Sequence, residues 1–125
     1  MEFKAKKAIY QQIVERIFGE ILNGVYKAQE RIPSVREYAE MVCVNPNTVM
    51  RSYDYMQRMG VIYNRRGLGY YLHEDAREII LNLRREEFRQ SQAEEIFGML
   101  RSLSITPDEL RAMYQKYIEW KESEK

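Results

Sequence analysis

A serine–glutamate box followed closely by an asparagine–proline pair constrains this chain more than any other feature. Ser34 precedes Glu37 by the spacing at which a serine hydroxyl takes a helical N–H and the glutamate reaches back to the cap N–H. Asn45-Pro46 follows about two helical turns later. Asparagine is a good N-cap, and proline suits the first helical position, where its missing N–H costs nothing. The first helix, with Val35, Tyr38, Ala39 and Val42 on its buried face, must therefore end quickly and turn into the second. Two helices joined by a turn of about three to four residues form a helix-turn-helix. That arrangement presents the start of its second helix to the major groove of DNA.

The flanking sequence supports this unit. Ile9, Ile13, Ile17 and Ile21 recur every four residues, widened by Val14, Phe18 and Leu22, and predict a helix over Ile9 to Asn23 with Gly24 as its stop. An extended piece is expected from Val25 to Ile32. The helix begun at Pro46 should run to Met59 and stop at Gly60, with Val49, Tyr53 and Met56 facing the core. The period then changes. Val61-Ile62-Tyr63 and Tyr70-Tyr71-Leu72 are β-prone runs around Asn64-Arg65-Arg66-Gly67-Leu68-Gly69, which predicts a hairpin with a basic tip.

From Asp75 the patterning is helical again. Ile79, Ile80, Leu83, Phe88, Ala93, Ile96, Phe97, Leu100 and Leu103 mark a segment over Asp75 to Leu103, whose charged middle should be exposed on most of its circumference. Thr106-Pro107-Asp108-Glu109 opens a last helix with Leu110, Met113, Tyr114, Tyr117, Ile118 and Trp120 on one broad face. The expected fold is mostly α with a small β-hairpin. It comprises a winged helix-turn-helix DNA-binding domain over residues 1–73 and a short two-helix C-terminal dimerisation tail over residues 74–125.

Composition narrows the function classes. At 125 residues the chain holds one compact domain or a small domain with an appendage. The net charge of +1 conceals an asymmetry: residues 1–73 carry 11 basic and 7 acidic side chains, residues 74–125 carry 9 and 12. A basic front half fits a polyanionic partner. Cys43 and His73 are the single cysteine and the single histidine, so neither an internal disulfide nor a Cys/His metal site is expected, and no cofactor is. Cys43, within Met41-Val42-Cys43-Val44, reads as a small buried hydrophobe. His73 has no nucleophile or carboxylate partner in the pattern, and no Gly-rich phosphate loop or HExxH-type pair occurs, so the chain is not expected to be an enzyme. No apolar run approaches a membrane span, and Met1-Glu2-Phe3-Lys4-Ala5-Lys6-Lys7 lacks the apolar core of a secretory signal. The expected compartment is the cytoplasm.

On the outer side of the second helix of the pair stand Asn47, Thr48 and Arg51. Asparagine can read an adenine edge, threonine can touch a phosphate or a thymine methyl, and arginine can pair with guanine or phosphate. An Asn-Thr pair at a helix start, taken alone, more often caps than reads. The hairpin changes that weighting, because a basic hairpin after a recognition helix is a wing, with Arg65 and Arg66 placed along a groove or phosphate strand. Four stretches now fall in register: Arg31-Ile32-Pro33-Ser34-Val35-Arg36-Glu37, Val44-Asn45-Pro46-Asn47-Thr48-Val49, Met59-Gly60-Val61-Ile62, and Arg65-Arg66-Gly67-Leu68-Gly69-Tyr70-Tyr71-Leu72. In order and spacing, over about residues 8–73, they closely resemble the N-terminal winged helix of GntR-family transcription regulators.

The resemblance implies DNA binding as a homodimer to an inverted-repeat operator. It places Arg36 on DNA from the start of the helix after Ser34, Asn47 and Thr48 in the major groove, and Gly67 at the wing tip. One departure matters: many members carry arginine where Pro46 stands, so the operator half-site is expected to differ from the commonest pattern. The short tail resembles the YtrA-type subfamily, whose two-helix tail serves chiefly for dimerisation and which often sits near transporter operons. The function so implied is a sequence-specific transcription regulator, a dimeric repressor of a nearby operon.

A tail of about fifty residues buries too little surface to be stable alone. A second copy related by a two-fold axis would cover Ile96, Leu100, Leu103, Met113, Tyr117 and Trp120. The competing arrangement folds the tail onto its own winged domain and leaves a monomer. The competing function is a winged helix that docks protein or binds RNA, since fold does not fix function. Clustering of Arg36, Arg51, Arg65 and Arg66 on the elements expected to face DNA argues against it. A small-molecule effector stays open, because the ten tyrosines and Trp120 read first as core and interface aromatics.

Overall fold

The computed structural model describes residues 7–124. In chain order it contains α1 (Ile9–Leu22), α2 (Val35–Val42), α3 (Pro46–Arg58), β1 (Ile62–Arg65), β2 (Gly69–Leu72), α4 (Ala76–Glu87), a π-helical turn (Phe88–Gln92), α5 (Ala93–Ser102) and α6 (Pro107–Ser123). Two compact units result, one ending at Leu83 and the other beginning at Arg84.

Helix α1 forms where the four-residue isoleucine repeat predicts. Ile13, Val14, Ile17, Phe18 and Ile21 are buried, while Ile9 stays exposed. Its end is closed by the Val25 N–H donating to the Glu20 carbonyl at 2.9 Å. The box that starts α2 is made in both directions: Glu37 N–H donates to Ser34 Oγ at 3.1 Å, and Ser34 N–H donates to Glu37 Oε1 at 3.0 Å. Losing such a cap costs about 1 kcal/mol.

Two expectations are corrected here. Cys43 is exposed, because it ends α2 in the left-handed conformation (φ 56°) and so caps the helix instead of packing beneath it. Residues 25–32 are mostly turns and bends, not an extended piece. Too few apolar side chains alternate there to bury a strand face, and Val25 is exposed. Only the end of that stretch runs beside β2. Gln29 N–H donates to the Leu72 carbonyl at 2.7 Å, Leu72 N–H to the Glu30 carbonyl at 3.0 Å, and Ile32 N–H to the Tyr70 carbonyl at 2.9 Å.

The hairpin is antiparallel, with Ile62 opposite Leu72, Tyr63 opposite Tyr71 and Arg65 opposite Gly69. Its ladder therefore reaches further toward the tip than the apolar runs alone indicate. Ile62 and Leu72 point inward and join Ile13, Ile17, Ile32, Val49 and Met56 in one core. Ala76 and Ile80 are buried in the same core, with Ile79 and Leu83 packed against it, so the first turns of α4 belong to the first unit.

Two tyrosines anchor the centre, and each satisfies its hydroxyl, as a buried phenol must. Tyr53 donates to the Pro33 carbonyl at 2.6 Å and Tyr38 to Glu20 Oε1 at 2.8 Å. Burial pushes both phenols well above their ordinary value, and the Glu20 carboxylate adds to the rise. Tyr26, within 3.5 Å of the same carboxylate oxygen, is pushed up to about 12 by burial first and by Glu20 second.

The second unit is helical throughout except for the short link before α6. Thr106 caps α6 by accepting the Glu109 N–H at 3.2 Å. No residue of α5 or α6 is buried, and residues 84–92 are exposed as their charge predicts.

Candidate nucleic-acid interface

The start of α3 is capped by Asn45, whose Oδ1 accepts the Asn47 N–H at 2.8 Å. The side-chain cap therefore falls to Asn45. Asn47 is exposed and Thr48 half-buried at the first turn. Along α3 the inner face is Val49, Ser52, Tyr53 and Met56. The outer face is Asn47, Met50, Arg51, Asp54, Gln57 and Arg58, all exposed. Arg36 is exposed in the first turn of α2, directly before the capping glutamate. Among the described residues neither Arg36 nor Arg66 forms an ion pair, so both charges face solvent uncompensated.

The wing tip is a tight turn in which Leu68 N–H donates to the Arg65 carbonyl at 2.8 Å. Gly67 sits there at φ 77°, a left-handed value that glycine adopts without a Cβ clash. Arg65 lies 4.9 Å over the Tyr71 ring, and Tyr71 stacks on Tyr63 at 5.9 Å. The aromatic pair thus supports one wing arginine, and Arg66, next to it at the tip, is exposed.

The elements carrying these residues are braced to one another. Arg31 Nε donates to the Leu68 carbonyl at 3.1 Å, and Arg31 Nη2 donates to Glu37 Oε1 at 3.2 Å. Glu37 is held below the usual carboxylate range, first by the backbone hydrogen bond from Ser34, with Arg31 adding a smaller push. The arginine passes so close to β2 that a Cβ on Gly69 would meet its Nε at 3.0 Å. On the other side, Tyr70 meets Tyr53 edge-on at 5.1 Å, and its hydroxyl lies 4.0 Å from Met50 Sδ. The wing is therefore tied to α2 through Arg31 and to α3 through Tyr70. No side-chain hydrogen bond or ion pair joins Arg36, Asn47, Thr48, Arg51, Arg65 and Arg66 to one another among the described residues; their supports are what the fold brings together.

Two contributors escaped the sequence reading. Arg31 lay inside a quoted stretch without a role, and Tyr10 was one tyrosine among ten. Their partners, Leu68 and Arg51, are remote in sequence, so no local spacing points to them. In the tail, Ile96, Leu103, Met113, Tyr117 and Trp120 are exposed and Leu100 is half-buried. Phe97, Met99 and Tyr114 join them as large exposed side chains. No group of three or more His, Cys, Asp or Glu suited to a metal occurs among the described residues. No helix among them is long and apolar enough to cross a membrane.

The HTH-type transcriptional regulator YhcF of Bacillus subtilis is 34% identical over 109 residues, covering 87% of this chain and 88% of that one. The HTH-type transcriptional repressor YtrA of the same organism is 36% identical over 78 residues, covering 62% of this chain and 60% of that one. The crystal structure of a GntR-family transcriptional regulator from Bacteroides thetaiotaomicron superposes with a TM-score of 0.81 at 46% identity, covering 90% of this chain and 99% of that one. These relatives are transcription regulators, the class the sequence pattern set against an enzyme. Residues 9–72 match the gntR family of bacterial regulatory proteins, and with a winged helix built and braced in this way the chain belongs to that family.

Proposed function

We propose that this chain is a cytoplasmic, sequence-specific DNA-binding regulator that acts as a homodimer on an inverted-repeat operator and represses a nearby operon. Arg36, Asn47, Thr48 and Arg51 hold and read the major groove, and Arg65, Arg66 and Gly67 make the wing contact. The observation that carries this reading is the exposed set Arg36, Asn47 and Arg66 on three elements braced by Arg31 and Tyr70. Phosphate contacts position a protein and base contacts specify the site, and this set offers both kinds of donor. The dimer is supported by the tail, where Phe97, Tyr117 and Trp120, on helices without a buried residue, and Leu103, at the end of α5, are each more than half exposed. Repression is favoured by the name of the Bacillus YtrA protein.

Selection of binding sites from random duplex DNA, with the winner re-measured over a salt series, tests the proposal. A two-fold-symmetric winner whose affinity falls steeply with salt is expected. In that site Asn47→Ala should cost about 1–3 kcal/mol and relax preference at one base pair, while Arg66→Ala should weaken all duplexes alike. Absence of any enriched duplex would turn the reading toward a winged helix that docks on protein or RNA.

A further inference from the structure

The outer face of α3 carries one arginine whose place is not set by α3 alone. The Arg51 guanidinium lies 3.9 Å over the Tyr10 ring of α1, well within the range at which a ring face attracts a cation. Tyr10 is fixed beside α3, because fully buried Ser52 donates its hydroxyl to the Tyr10 carbonyl at 2.8 Å. The ring is half-buried, and the guanidinium lies exposed above it. A guanidinium carries five N–H donors, more than contact with one ring uses, and Arg51 makes no ion pair among the described residues. An arginine that reads a guanine must extend from the helix to the base edge. One held over a ring of the neighbouring helix is not free to extend in that way.

We infer that Tyr10 is a positioning residue that holds Arg51 against α1 as a clamp for a DNA phosphate and keeps it from acting as a base reader. The inference rests on the proposed DNA-binding function and sharpens it. It divides the recognition helix into a reading start, at Asn47 and Thr48, and a gripping flank, at Arg51.

The test uses the full chain, its selected duplex, and a set of that duplex with single base-pair changes, over a salt series. Arg51→Ala is expected to weaken every duplex by the same factor and to reduce the salt slope by about one. Tyr10→Leu is expected to weaken them evenly by about two- to fivefold, the value of an exposed cation–ring contact. Tyr10→Phe keeps the ring and should bind as the parent does, and Tyr10→Leu should have no further effect once Arg51 is alanine. Tyr10→Gln provides a second ringless variant should the leucine protein not fold. Relaxed preference at one base pair in Arg51→Ala makes Arg51 a reader and overturns the clamp. Equal losses from Tyr10→Leu with and without Arg51, or none at all, overturn the positioning role. Both results leave operator binding by the parent chain intact, whereas a parent chain that enriches no duplex removes the DNA-binding reading and the clamp together.

Discussion

The unit ending at Leu83 and the unit beginning at Arg84 use apolar side chains in opposite ways. In the first, Ile13, Ile17, Tyr53, Met56 and Ile80 are all but closed to solvent in a single core. In the second, Trp120 is 53% exposed and Leu103 64% exposed, although both helices follow apolar patterns of the same kind. Amphipathic periodicity says which face of a helix is to be covered. It does not say whether the cover belongs to the same chain. The first unit answers that requirement internally, and the second leaves it for another surface to meet.

The contrast can be broken most forcefully at the core. Ile17→Ala removes three carbons from a fully packed site, and a loss of about 2–5 kcal/mol in urea-induced unfolding is expected. A much smaller loss would mean that the first unit is less tightly closed than its burial indicates. Trp120→Ala should leave that unfolding midpoint for the winged unit unchanged, yet weaken self-association by about 2 kcal/mol, as a central interface aromatic does. Sedimentation equilibrium reads this directly, and an unaltered dimer would relieve Trp120 of the role. A chain that sediments as a monomer before any substitution would place the cover for the tail within its own molecule.

At the start of α2 the expected effects are smaller. Ser34→Ala should cost about 1 kcal/mol, measured by thermal melting. Glu37 has a folded-state pKa below its ordinary value of about 4.5. Its contribution to stability is therefore present above about pH 4.5 and fades as the pH falls through the lower folded value. Glu37→Gln should flatten that part of the acid unfolding profile slightly. An identical profile in the variant would show that the exposed carboxylate adds nothing beyond its neutral hydrogen bonds.

What was legible in the sequence is what depends on neighbours along the chain. Ser34, Glu37, Asn45 and Thr106 act on N–H groups within a turn of themselves, and Pro46 lacks only an N–H the helix start can spare, so their spacing was enough to place three helix starts. The hairpin and the inner face of α3 were legible for the same reason, the one through β-prone runs around glycines and an asparagine, the other through a period of three to four. Cys43 was misread because its apolar neighbours suggested burial, whereas its left-handed backbone turns it off the helix end. Residues 25–32 were misread because only contacts with distant β2 decide where their turns stop and pairing begins. In the interface, Asn47, Thr48, Arg51, Arg65 and Arg66 could be named from the pattern, and Arg36 and Gly67 only through the family resemblance. The residues that aim them, Arg31 and Tyr10, are joined to their partners only by the tertiary fold.

Arg31 grips the wing through the Leu68 carbonyl, a group every amino acid supplies. The brace is thus indifferent to the side chains at positions 66 and 68 but sensitive to how many residues the turn contains. Replacement of Arg66 or Leu68 leaves the posture of the wing intact, while insertion of a single residue between Arg65 and Gly69 carries the gripped carbonyl out of reach. Variation at this tip is therefore open at Arg66 and Leu68, closed at the two glycines, and fixed in length. A wing held in this way can change the groups it presents at those two positions while the geometry that presents them stays as it is.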